Sequence, residues 1–245
     1  MNEIDHKDYI AGLIQKAREA QKIAESFTQD YVDKLAAALA WTAVKEENVL
    51  KIAQLAFEES KMGNFESKCG KLRKKPRGVL RDLKEEKSVG VIEVNKEKGL
   101  LKIAKPVGVI GALVPCTNPE VTPVIKGMCA VKGRNAVVFC PHPRTKNTTL
   151  QMVKLLRETL KKLGAPENLL ICAENPSIDM SMELMKQCDL VIATGGAAMV
   201  KSAYSSGTPA YGVGAGNAVV VIDETADIKD AAHKIILSKT NDFAS

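Results

Sequence analysis

Aromatic side chains are scarce: Phe, Trp and Tyr make up 4% of the 245 residues, against 45% hydrophobic residues in all. A core must therefore be assembled from Val, Ile, Leu, Ala and Met. Long apolar runs are lacking as well. No stretch reaches the ~18–20 residues needed to cross a bilayer, and Met1–Ile10 carries Asp, Glu, Lys and His where a secretory leader would be apolar. The expectation is a protein that is neither membrane-spanning nor secreted, placed in the cytoplasm, with association with a microcompartment as the second option. The six cysteines (Cys69, Cys116, Cys129, Cys140, Cys172, Cys188) form no CxxC pair, and no His stands at metal-ligand spacing from them. That pattern argues against a structural zinc site and reads as free thiols in a reducing compartment.

Acidic residues are short by six, with Lys and Arg numbering 35 against 29 Asp and Glu. The excess is local: Lys68 to Lys84 holds eight basic residues and one acid, Asp82. Punctuated by Gly70, Pro76 and Gly78, this stretch reads as a solvated surface segment. Docking of a polyanionic ligand is the alternative. Nucleic acid is the weakest reading, because no aromatics interleave the charges.

Upstream, Ile4, Ile10, Leu13, Ile14, Ala17, Ala20 and Ile23 recur at helical spacing, Thr28 to Val44 reads as a second helix, and Glu46 to Met62 as a third that stops at Gly63. From Ser88 the pattern changes. Ser88–Val94 and Leu100–Lys105 are β-rich runs around the polar Asn95–Gly99, a hairpin signal. Alternating units follow: strand Gly108–Val114, helix Val121–Lys132, strand Ala136–Cys140, helix Thr148–Leu163, strand Leu169–Cys172 and helix Ile178–Lys186. Strand Leu190–Ala193, helix Gly196–Ser205, strand Ala218–Ile222 and helix Ile228–Ser238 complete the series. Continuous apolar strands alternating with helices predict an α/β fold with a doubly wound, Rossmann-like parallel sheet. The expected organisation is residues 1–87 as N-terminal helices and basic segment, 88–105 as a hairpin, and 106–245 as a dinucleotide-binding domain.

In such sheets ligands sit beyond the carboxyl ends of the strands, so the turns there are the candidate site. The first is Pro115-Cys116-Thr117-Asn118-Pro119, where two prolines stiffen the chain around one amide. Asn118 can donate to a developing oxyanion or simply cap the next helix as an Asx-turn. The second is Pro141-His142-Pro143-Arg144, with Arg144 and Lys146 where an adenosine ribose or phosphate would pass. The third, Thr194-Gly195-Gly196, opens a helix whose free amides suit a pyrophosphate. Gly212-Val213-Gly214-Ala215-Gly216-Asn217 matches GxGxxG only loosely and precedes a predicted strand, so it is not the dinucleotide fingerprint.

Taken together, these turns resemble the aldehyde dehydrogenase superfamily in its CoA-acylating branch. The resemblance rests on Lys105-Pro106-Val107-Gly108-Val109-Ile110-Gly111, Val114 through Pro119, Pro141 through Arg144, Ala193 through Gly207, Pro209 through Asn217, Ile222 through Ile228, and Ser238-Lys239-Thr240. The tail Lys239–Ser245 is similar to the sulfoacetaldehyde-oxidising members. The resemblance implies conversion of an aldehyde and CoA to acyl-CoA with NAD or NADP, through a Cys thiohemiacetal and thioester. It implies Asn118 as the oxyanion-stabilising residue. It also implies a cofactor site of Pro115, Cys116, Thr117, Lys126, Cys140, Pro141, His142, Pro143, Arg144, Thr194, Gly195, Gly196, Met199, Gly212, Val213 and Gly214, with no metal. Gly212 stands where the hydrolytic branch has a water-activating Glu, and Cys140 where it has a ribose-binding Lys. The nucleophilic Cys is expected just beyond Ser245, so this chain is expected to lack it and the catalytic domain, and to be inactive alone. Expected partners are the aldehyde and CoA in the full-length protein and, through the hairpin, further copies of the same chain; no nucleic acid or membrane is expected. The alternatives are a stand-alone nucleotide-binding or interaction module without catalysis, and an acyl-phosphate reductase on the same fold.

Overall fold

The computed structural model describes residues 6–214, 216 and 218–240; Ile4, Ala215, Asn217 and the tail from residue 241, all used in the sequence reading, lie outside the described residues. Four helices come first: α1 (His6–Ala24), α2 (Gln29–Val44), α3 (Glu46–Ser60) and α4 (Phe65–Leu83). The hairpin β1 (Gly90–Asn95) and β2 (Leu100–Ala104) follows, antiparallel and separate from the main sheet. Then come β3 (Val109–Val114), α5 (Thr122–Lys132), β4 (Ala136–Pro141), α6 (Lys146–Lys162), β5 (Leu170–Cys172) and α7 (Ile178–Gln187). β6 (Leu190–Thr194), α8 (Ala197–Tyr204), β7 (Ala210–Val213) and α9 (Ile228–Thr240) complete the elements. Among the described residues no helix is long and apolar enough to cross a membrane.

The sheet is parallel with strand order β5-β4-β3-β6-β7. Every residue of β3 and β4 is buried, which is why their sequences are unbroken apolar runs. The chain winds outward from β3 through β4 to β5, then crosses back to place β6 on the other side of β3. This reversal, between β3 and β6, is where a crevice opens beyond the strand ends. Helices α5 and α6 lie against β4 and β5 with α2 packed over them, and α1 packs with α7 against β3 and β4.

Helix α1 follows its periodicity at Ile10, Ile14, Ala17 and Ala20, but Ile23 is exposed. Gln21 is turned inward instead, because its Nε2 donates to the carbonyl of Arg134 at 3.2 Å. A second anchor joins α1 to the sheet: Arg18 donates to both carboxylate oxygens of Asp189 at 2.9 and 3.0 Å, and Asp189 Oδ2 accepts from Val109 N at 2.7 Å. Gly108, at φ +127°, leaves the room this carboxylate occupies; a Cβ there would lie 2.2 Å from Asp189 Oδ2.

Two expectations are corrected. The basic stretch is not broken at Gly70, Pro76 and Gly78; it lies mostly in the continuous helix α4, with Asn64 accepting from Ser67 N as its N-cap and its basic side chains other than Lys68 at least partly exposed. The reason is amphipathic: Lys68, Cys69, Leu72 and Pro76 share a buried face, and their packing outweighs the intrinsic cost of the glycines and proline. Ala218–Ile222 is not a strand. Val219 and Val221 are 87% and 88% exposed, and the edge of β6 is taken by Ala210–Val213, in register Val191 with Ala210 through Thr194 with Val213. Strand status needs a neighbour to pair with, and periodicity does not say which of two nearby runs wins it.

Candidate nucleotide site

The crevice at the reversal has a volume of about 730 Å³ and is lined by the ends of β3, β4 and β6 with the starts of α7 and α8. Of the residues picked from sequence, Pro115, Cys116, Thr117, Asn118, Cys140, Pro141, His142, Pro143, Thr194, Gly195, Gly196, Met199, Val213 and Gly214 all line it. They come from turns up to 99 positions apart, brought together because parallel strands direct every carboxyl end to one edge.

Asn118 sits in the turn after β3. Its Nδ2 donates to Thr117 Oγ1 at 3.1 Å, and its carbonyl accepts from Thr122 N at 3.2 Å and from Thr122 Oγ1 at 2.7 Å. Helix α5 has no side-chain N-cap, so the Asx-cap reading is not what the amide does here. The side chain is half-buried at the crevice wall, able to donate to an oxygen that enters.

Helix α8 has Gly196 as its N-cap, which is extended (φ −66°, ψ 162°) and brings no capping side chain. Its first amides therefore have no intrahelical partner, and a helix start of this kind favours an anion. A Cβ at Gly196 would meet nothing within 4 Å, and one at Gly195 would touch only Met199, at 3.7 Å. The space over this helix start is open to an approaching group.

At the other end of the crevice, Cys140 Sγ lies 3.3 Å from Ser181 Oγ, and burial raises the Cys140 thiol above its ordinary range. His142 Nδ1 accepts from Arg144 N at 3.1 Å, and burial, then the Arg144 charge, lower the imidazole. Sequence reading missed Ser177, Ile178 and Ser181, which also line the crevice. Ser177 is the N-cap of α7, accepting from Met180 N at 3.1 Å; that signal was legible in a Ser opening a helix after β5.

Four picks stand elsewhere. Arg144 is exposed outside the crevice lining, and Lys146 Nζ donates to Asn175 Oδ1 at 3.5 Å. Lys126 lies beneath the floor: Nζ donates to the carbonyls of Leu113 at 3.1 Å and Ile192 at 3.2 Å, so one ammonium ties β3 to β6. Burial lowers its pKa to about 8. Gly212 packs under α8, where a Cβ would be 2.6 Å from Val200 Cγ1 and 2.9 Å from Tyr204 Cε2. Its Gly is required by this close approach of β7 to α8.

The aldehyde dehydrogenase family model matches residues 5–242. The chain belongs to the aldehyde dehydrogenase family. It is 50% identical over 236 residues to a sulfoacetaldehyde dehydrogenase of an Acholeplasma species, covering 96% of this chain and 49% of that protein. It is 46% identical to the acylating sulfoacetaldehyde dehydrogenase of Bilophila wadsworthia, covering 96% of this chain and 51% of that protein. Among solved structures it is similar to an acetylating aldehyde dehydrogenase of Geobacillus thermoglucosidasius, with TM-score 0.91 and 39% identity over 99% of this chain and 54% of that one. This aldehyde dehydrogenase chain thus spans about half the length of the relatives it matches.

Proposed function

We propose that this chain is the dinucleotide-binding half of a CoA-acylating aldehyde dehydrogenase, whose full-length form converts an aldehyde and CoA to acyl-CoA with NAD or NADP. The observation that carries the reading is the uncapped start of α8 facing the crevice across from Asn118. The residues present fit a dinucleotide. Thr194, Gly195, Gly196 and the first amides of α8 would hold the pyrophosphate, with Met199 beside them. Pro115, Cys116 and Thr117 would wall the nicotinamide ribose, with Val213 and Gly214 completing the crevice wall. Cys140 to Pro143, with Ser177 and Ser181, would receive the adenosine end. A nicotinamide held there would supply the hydride acceptor. Asn118 Nδ2 would donate to the aldehyde oxygen as charge develops on it.

Position 212 supports thiol over water as the acceptor. It is a glycine packed against Val200 and Tyr204, and a glycine contributes no carboxylate to activate a water. A thiol is more acidic than water and needs less help from a base, and a retained base would waste the thioester by hydrolysis. The nucleophilic Cys belongs, on this reading, to the half of the enzyme outside this chain. The two sulfoacetaldehyde relatives point to a short aldehyde bearing a sulfonate as substrate. The hairpin exposes Val91, Val94, Leu100, Leu101 and Ile103, which supports assembly with further copies in the full-length enzyme.

The test is direct. The 245-residue chain should bind NADH or NADPH and oxidise no aldehyde, whereas the full-length protein should reduce NAD or NADP when given sulfoacetaldehyde and CoA. Dependence on inorganic phosphate instead of CoA would favour the acyl-phosphate reductase, and no reduction with either acceptor would overturn the enzyme reading.

A further inference from the structure

Of the eight basic residues between Lys68 and Lys84, Lys68 alone is fully buried. Its ammonium is enclosed beneath the turn between β3 and α5, donating to the carbonyl of Thr117 at 2.6 Å and lying 3.8 Å from Glu120 Oε2. Glu120 is itself wholly buried. Taking two charges out of water carries a heavy desolvation penalty, and an apolar pair of similar volume often stabilises a fold as well or better. Simple packing of α4 therefore does not call for this pair.

Its placement relative to Asn118 does. Thr117 O belongs to the peptide unit whose nitrogen is that of Asn118, and Lys68 holds that unit. The next peptide unit begins with the carbonyl of Asn118, which Thr122 holds through its N–H and its hydroxyl. Both peptide planes flanking the Asn118 Cα are thus tied down, one from α4 and one from α5, and the direction of its amide follows. Glu120, two residues on, keeps the ammonium under the turn. Met62, just ahead of α4, backs the same turn through Cys116, with the two sulfurs 3.9 Å apart.

We propose that Lys68 is a positioning residue: with Glu120 it fixes the turn that aims the Asn118 amide at the reacting oxygen. This rests on the reading of Asn118 given above. Lys68 touches neither substrate nor cofactor in this scheme.

Two measurements test it. In the 245-residue chain labelled with ¹⁵N-asparagine, the Asn118 side-chain amide signal, assigned by its loss in Asn118→Ala, should shift or broaden in Lys68→Met, while NADH affinity stays within about two-fold. The paired variant Lys68→Met/Glu120→Met, which removes both charges of this pair, should shift it too, and it carries the test if the single variant does not fold. In the full-length enzyme kcat should fall about 10- to 100-fold with the KM for the dinucleotide unchanged. The paired variant should recover thermal stability but not kcat. A parental Asn118 signal in the folded paired variant, or parental kcat in that variant, overturns the proposal. If the parent enzyme itself makes no acyl-CoA, the functional reading fails, and the amide signal still decides whether Lys68 holds Asn118.

Discussion

Gly196→Val separates ligand binding from folding unusually well in this structure. Gly196 has φ −66° and ψ 162°, an extended conformation that a β-branched residue adopts without strain. The added Cβ meets nothing within 4 Å. Stability should therefore change by less than about 0.5 kcal/mol, as for an ordinary surface substitution. Binding should change far more, because the valine methyl groups would occupy the approach to the first amides of α8. Losing one hydrogen bond to a charged phosphate costs about 1.5–3 kcal/mol, or about a 10- to 150-fold rise in Kd. Calorimetric titration of the 245-residue chain with NADH gives the second quantity, and thermal melts without ligand give the first. A Kd within two-fold of the parent, with the melt unchanged, would show that the pyrophosphate does not lie at α8, and the assignment of the crevice would fail with it. A large loss of stability without ligand would instead refute the claim that the helix start is open.

Asn118→Ala should lower kcat of the full-length enzyme about 10²- to 10³-fold, as for loss of one oxyanion donor, with NADH affinity of the chain unchanged; parental kcat in steady-state assays would remove Asn118 from the chemistry. Gly108→Ala should destabilise by about 1–3 kcal/mol in urea titrations, through its positive φ and the displacement of Asp189 from Val109 and Arg18; a midpoint equal to the parent's would contradict the close approach described here. Lys126 has a folded-state pKa of about 8 against 10.5 as its ordinary value, so between those values the unfolded chain binds the extra proton and stability contributed by this group rises with pH. Relative to Lys126→Met, the parent should therefore gain up to about 3 kcal/mol between pH 8 and pH 10.5; a difference that stays flat across that range in denaturant titrations would disprove the burial of the ammonium.

The strands of the main sheet other than β7, the helices between them and most of the crevice were legible in the sequence because their signals are local. Buried parallel strands must be apolar throughout, as Val109–Val114 and Ala136–Pro141 are. The ends of such strands gather at one edge of the sheet, which is why Asn118, Thr194 and Gly196, picked for their places at the ends of β3 and β6, line the crevice. Ser177 and Ser181 were missed because nothing in their own segment says which helix start faces the crevice.

What the sequence determined on its own was therefore the alternation of elements and the chemistry available at each strand end, both dictated by backbone geometry and side-chain type over a few residues. Tertiary structure alone decided the rest. It made Ala210–Val213 the edge strand in place of Ala218–Ile222, because only one run could claim the free edge of β6. It folded a glycine- and proline-containing basic stretch into α4, because a shared buried face outweighed local propensity. And it put the Lys68 ammonium beneath Thr117, 49 positions away, an arrangement set by how helices pack and one that no spacing rule can reveal.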